Sequence, residues 1–83
     1  MKDSVHYCDM LSEREIDPNW ADLTCNDLDK IEKHADGTWH YIKKIAERDN
    51  RYLRVIINIA AEPPMRITVF FDRRLRKKHE SQI

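Results

Sequence analysis

The sequence predicts an α+β domain in which one or two N-terminal helices pack on a four-stranded antiparallel sheet. Apolar residues recur at three- and four-residue spacing before Asn26 and at two-residue spacing after Leu28, and that change of period marks helices followed by strands. The stretches after Leu28 are separated only by short turn sequences, so the strands should meander antiparallel beneath the helices.

Residues 4–15 read as a first helix. Ser4 can cap it, Val5, Cys8 and Leu11, joined by Tyr7, supply an apolar stripe, and Asp9 and Glu13 lie opposite. Asp17-Pro18 is an N-cap followed by proline at the first helical position, and it opens a second short helix to about Thr24 with Trp20 and Leu23 inward. Residues 28–34 alternate weakly and form a first strand. Asp36-Gly37, which contains the chain's single glycine, supplies the left-handed turn geometry of a tight hairpin.

The second strand, residues 38–47, places Trp39, Tyr41 and Ile45 on one face and His40, Ile42 and Lys44 on the other. Arg48-Asp49-Asn50 is a turn. Residues 51–60 form a third strand that sets Leu53, Val55, Ile57 and Ile59 against Tyr52, Arg54, Ile56 and Asn58. Residues 61–64 are a loop, because neither proline can donate to a ladder. The fourth strand, residues 65–72, sets Met65, Ile67, Val69 and Phe71 against Arg66, Thr68, Phe70 and Asp72. Pairing Ile59 with Met65 then puts Ile57 opposite Ile67, Val55 opposite Val69 and Leu53 opposite Phe71, which is the core face. A slip of one residue would invert it.

The chain has 83 residues, enough for a single domain with a modest core. Its ordered part should span about residues 4–72, with a basic tail over 73–83. Apolar residues make up 41% and charged residues 36%, so a soluble domain with a heavily charged surface is expected. The formal net charge is zero, yet residues 1–36 carry ten acids against four bases and residues 37–83 carry eleven bases against five acids. A chain polarised in this way can orient a polyanion, or dock half on half within one molecule or between copies. No apolar stretch approaches the ~20 residues of a membrane span, which excludes membrane insertion. Two cysteines without a secretory segment predict reduced thiols in a cytoplasm.

No P-loop, dinucleotide turn, nucleophile elbow or HExxH is present. The spacing of His6, Cys8, Cys25 and His34 matches no zinc pattern, and neither a metal nor a cofactor is expected. On the open sheet face, His40, Lys44, Tyr52, Arg54, Arg66 and Thr68 would form a cationic surface interleaved with Ile42, Ile56 and Phe70. Bases could stack on Phe70 or Tyr52 while the cations meet phosphates, as in single-strand RNA binding. The bland alternative covers these apolar residues with a helix, the tail or a second copy. Arg73, Arg74 and Arg76 in the tail would add nonspecific attraction for nucleic acid.

His6, Leu11, Arg14 and Ile16 on and just after the first helix, with LRVII in the third strand and RITVFFDRR in the fourth, resemble a family of small bacterial domains of unknown function. That family is similar to the RelE and ParE toxins within the barnase, EndoU, colicin and RelE group, and the resemblance spans roughly residues 5–76. It implies a RelE-like fold and a toxin-like domain that binds RNA, with metal-independent ribonuclease chemistry. The catalytic candidates are His6 and Arg14 from the helix and Arg54 and Thr68 from the sheet. Lys44, Tyr52, Arg66, Phe70, Arg73, Arg74 and Arg76 are the nucleic-acid contacts. A non-enzymatic interaction module, pairing with its own copy or with an antitoxin-like protein, stands as the alternative.

Overall fold

The computed structural model describes residues 1–75. Strand β1 (Lys2–Asp3) leads into helices α1 (Val5–Glu13) and α2 (Pro18–Asn26), and strands β2 (Lys30–Lys33), β3 (Thr38–Ile45), β4 (Arg51–Asn58) and β5 (Met65–Phe71) follow. A 3-10 turn, Ala46–Arg48, links β3 to β4. The α+β class holds, but the sheet has five strands in the order β1-β5-β4-β3-β2. It is mixed, because β1 runs parallel to β5 through the pairs Lys2↔Met65 and Asp3↔Arg66. Two residues carry no periodicity, so the sequence pattern could not reveal this strand.

Both helix starts follow from their caps. The Tyr7 amide donates to the Ser4 hydroxyl oxygen at 3.0 Å, and the Asn19 amide donates to an Asp17 carboxylate oxygen at 2.9 Å. The Ser4 amide also donates to Arg66 O, and Ser4 Oγ donates to Ile67 O. These bonds fix the rotation of α1, so its inward stripe is Tyr7, Met10 and Leu11 while Val5 stays 79% exposed and Cys8 lies outside. Of the expected stripe, Tyr7 and Leu11 face inward, and Val5 and Cys8 do not. In α2 the inward residues are Ala21 and Thr24, with Trp20 and Cys25 beside them, whereas Leu23 is 43% exposed. Leu23 sits nearly opposite the stripe that Ala21 and Thr24 define on a 3.6-residue repeat.

Helix α1 packs on β5, and α2 packs on β4 and β3. The core beneath them joins Tyr7, Ile16 and Ala21 to Ile45, Leu53, Val55, Ile57 and Val69. The register of β3 on β4 matches the predicted faces, with Tyr41 opposite Val55 and Ile42 opposite Arg54. On β5 the predicted pairs Leu53↔Phe71 and Val55↔Val69 form, but a β-bulge between Ile56 and Ile57 breaks the ladder. Beyond it Ile57 faces Arg66 and Asn58 faces Met65. The extra residue inverts the alternation, which brings Arg66 to the helix side and Met65 to the open side, the reverse of the expected arrangement. Ile42 was placed on the open face and lies there, yet it is fully covered by its neighbours at 1% exposure.

The end of α1 closes as a Schellman motif. The Ile16 amide donates to Leu11 O at 2.9 Å and the Glu15 amide to Ser12 O at 3.2 Å, while Glu15 takes a left-handed φ of 53°. A left-handed conformation costs a residue with a Cβ roughly 1–2 kcal/mol, whereas glycine adopts it freely. Glu15→Gly should therefore stabilise the fold by about 1 kcal/mol, less the chain entropy that glycine adds to the unfolded state. A rise in the urea midpoint without a change in slope is the expected result.

Candidate functional site

The densest polar cluster lies on the open face. Arg54, opposite Ile42 on β3 and Phe70 on β5, is only 5% exposed, and Asp72 at the end of β5 is 4% exposed. Arg54 Nε donates to Asp72 Oδ2 at 3.0 Å, with Nη2 2.9 Å from the same oxygen. Arg54 Nη1 donates to Glu32 Oε1 at 2.8 Å and to His40 Nδ1 at 2.8 Å. One guanidinium thus ties together β2, β3, β4 and the residue after β5.

A guanidinium can only donate, so Nδ1 of His40 is the accepting nitrogen and the ring proton is assigned to Nε2. Nε2 faces Thr38 Oγ1 at 3.4 Å, and that hydroxyl donates to Asp36 Oδ1 at 2.6 Å. The His34 ring stacks on His40 with centroids 3.9 Å apart. Burial, then the neighbouring His34 and Arg54, hold the His40 pKa below its usual value. The hydrogen bond from Arg54 is the main reason the Glu32 carboxyl falls to about 2. Burial pushes Asp72 upward, but the hydrogen bonds from Arg54 and the Arg74 amide and the charges of both arginines together outweigh it, and the net shift is down.

Glu32, His34 and His40 each bring a ligand atom within 4.8 Å of the others. Glu32 Oε1 and His40 Nδ1 already accept from Arg54, so a dication on those atoms would have to displace a guanidinium. The cluster is an ion-pair network rather than an open coordination shell.

The predicted catalytic residues divide into three places. His6 Nε2 lies 3.2 Å from Thr68 Oγ1, because α1 runs beside β5 beyond the short β1 and the imidazole reaches the strand. Arg54 is enclosed in the network above. Arg14 caps the far end of α1, where its Nε lies 3.3 Å from Met10 Sδ. Among the nucleic-acid candidates, Arg66 leaves the open face: it donates to both oxygens of Asp3 at 2.6 and 3.0 Å and to Asp22 at 2.7 Å. Its guanidinium sits 4.7 Å from the Tyr7 ring centre. Lys44, Tyr52 and Phe70 remain on the open face, with Lys44 over the Tyr52 ring at 5.8 Å. Arg76 lies outside the described residues.

At the end of the sheet, where β5 stops and β4 begins, a cavity of about 510 Å³ gathers Arg14, Arg48, Arg51, Arg73 and Arg74 around Phe70, Phe71 and Asp72. Arg48 and Arg51 were read only as turn and strand-start residues. Four sequence segments contribute these arginines, so spacing along the chain could not show that they converge.

A family model of the FF domain matches residues 2–68, and the chain belongs to that family, one of protein-interaction domains. The match corrects the resemblance to RelE and ParE toxins drawn from the helix and strand motifs. It takes in both helices and ends at Thr68 inside β5, so Asp72 and the arginines after it lie beyond the matched stretch. No curated protein and no solved structure matches the chain significantly.

Arg54→Ala should cost about 3–5 kcal/mol, because it leaves Asp72 buried without its partner. Lys44→Ala, on an exposed lysine, should stay within about 0.5 kcal/mol. Urea unfolding of the two variants checks this. The network should also lose stability toward acid in two stages. His40 has a lowered folded pKa, so below its ordinary range the unfolded state takes up the proton first and stability falls. Glu32 and Asp72 then withdraw their contributions as pH drops from the ordinary carboxylate range toward the depressed values. Urea midpoints measured across acidic pH should show both stages, and His40→Gln should abolish only the first.

Proposed function

We propose that this chain is a protein-interaction module that pairs with a second copy of itself through the open face of its sheet, acting in the cytoplasm with Cys8 and Cys25 reduced. Membership of the FF family supports the interaction role. One observation carries the choice of surface: both arginines expected to make this face a polyanion platform are neutralised or displaced. Arg54 is held by Glu32 and Asp72, and the bulge removes Arg66 to Asp3 and Asp22; Lys30, not among the expected cations, also pairs with Glu32. Among the described residues of the face, Lys44 and Lys2, which lies opposite Met65, lack a carboxylate partner.

What remains is a surface whose unpaired charges among the described residues are Lys2 and Lys44, with Tyr52, Ile56 and Met65 half-buried and no described element packed over them. A patch of this kind can meet its own copy across a two-fold axis through its apolar residues, with Lys2 and Lys44 as its unpaired charges among the described residues. The RNA-cleaving reading draws support from the contact between His6 and Thr68. Lys44 stands two strands away on β3, so it does not stand beside that contact as the cation a phosphorane needs.

Sedimentation velocity over a hundredfold concentration range tests the proposal. A dimer is expected for the wild type, and Ile56→Asp should return it to a monomer while preserving the far-UV circular dichroism. A wild type that stays monomeric throughout refutes self-association. If it also degrades RNA, with activity lost in His6→Ala, the RNA reading takes its place.

A further inference from the structure

We propose that the arginine-lined cavity at the end of the sheet is a binding site for a nucleoside phosphate, with the phosphate on the guanidinium groups and the base against Phe70. This goes beyond the pairing of sheet faces and does not depend on it.

The first argument is electrostatic. Arg14, Arg48, Arg51, Arg73 and Arg74 reach one cavity from α1, the 3-10 turn, β4 and the segment after β5, and bringing like charges together is unfavourable unless an anion completes the site. Asp72, the one acid in the lining, is buried and spends Oδ2 on Arg54. Its Oδ1 accepts from the Arg74 amide at 2.9 Å and lies 3.5 Å from Arg74 Nε. Among the described residues, Arg14, Arg48, Arg51 and Arg73 form no ion pair. The Arg14 contact to Met10 Sδ involves a weak acceptor.

The second argument is the side-chain chemistry. Arginine presents planar, forked donors that match phosphate oxygens in pairs. Arg48 and Arg51 lie over the Phe71 ring at 5.6 and 4.9 Å, and Phe71 is met edge-on by Trp20. A guanidinium stacked on a ring is held in place while its N–H groups remain for an acceptor, which makes a preorganised cradle.

The third argument selects a nucleotide among anions. A cavity of about 510 Å³ falls within the size range of small-molecule sites and exceeds what a bare phosphate fills. Phe70 lines it and, unlike Phe71, has no ring or cation stacked on it among the described residues. An unpartnered aromatic ring beside an arginine cluster is the pairing that takes a base and its phosphate together. A phosphorylated peptide would use the arginines and leave that ring unused.

Titration of the full chain, followed by Trp20 fluorescence beside Phe71 and by calorimetry, tests the site with ADP, adenosine and pyrophosphate as probes. ADP should bind at least tenfold more tightly than either adenosine or pyrophosphate, and more weakly as salt rises. Arg48→Gln with Arg51→Gln should weaken ADP at least tenfold, and Phe70→Leu should weaken ADP while leaving pyrophosphate unchanged, with melting temperatures confirming that each variant folds. A 5′-phosphorylated RNA trinucleotide compared with its dephosphorylated form distinguishes a strand end from a free nucleotide as the source of the phosphate. Absence of ADP binding at millimolar concentration overturns the proposal. So does pyrophosphate binding as tightly as ADP, or a phosphoserine peptide binding more tightly than ADP.

Discussion

Arg54 occupies β4, the middle strand of five, and one guanidinium there holds the residue after β5, the edge strand β2 and the histidine of β3. Two charges buried at 5% and 4% exposure carry a large desolvation cost, which good geometry and extra hydrogen bonds must offset. The pair meets that condition. Asp72 also accepts from the Arg74 amide, its own amide donates to Tyr52 O at 2.8 Å, and His40 takes a third guanidinium bond. Such a network fixes the lateral order of strands more than it adds net stability, because a slipped register would strand a buried charge.

That constraint orders the other face as well. With β3, β4 and β5 locked in register, Leu53, Val55 and Val69 must point toward the helices, and Tyr7 and Ala21 pack onto them. Tyr7 carries the one buried side-chain polar atom without a partner among the described residues, its hydroxyl. Burial raises its pKa, so it stays protonated. The ring is nonetheless well placed, since Arg66 lies over it and Arg66 is in turn clamped by Asp3 and Asp22. Two arginines, one on each side of the sheet, therefore organise the two faces.

The sequence pattern carried the strands and turns because they rest on local chemistry. Gly37 takes φ of +88° where Asp36-Gly37 marked the hairpin, and Asp49 and Asn50 take left-handed values at the next turn, a conformation those residue types tolerate. What escaped it depends on contacts between distant segments. Val5 and Leu23 match a helical stripe as well as Tyr7 and Thr24 do, and only the anchoring of Ser4 to β5 selects one rotation for α1. A bulge is one extra residue in a run that already alternates well, so nothing in PMRITVFF says that Arg66 will cross to the helix side. The candidate site was legible as a set of residue types but not as a place. His6 and Thr68 do meet, whereas Arg54 is enclosed, Arg14 stands at a different end of the molecule, and Arg48 and Arg51 carried no signal.

The opposed charge of the two halves now has a structural account. Acids of the first half meet bases of the second across the tertiary fold: Asp3 and Asp22 with Arg66, Asp27 and Asp29 with Lys43, and Glu32 with Arg54. Of the two outcomes open to a polarised chain, docking within one molecule accounts for these residues. The neutralisation is uneven in space. It reaches the open face and both edges of the sheet, and it stops at the end of β5, where Arg14, Arg48, Arg51 and Arg73 share one cavity without a carboxylate partner among the described residues. Among the described residues of a chain of zero formal charge, four arginines without a carboxylate partner thus share one concave spot. Low-dielectric walls around such a spot focus the field instead of spreading it over the surface. Those four guanidinium groups, unlike Arg54 and Arg66 of the sheet, are not already held by carboxylates among the described residues.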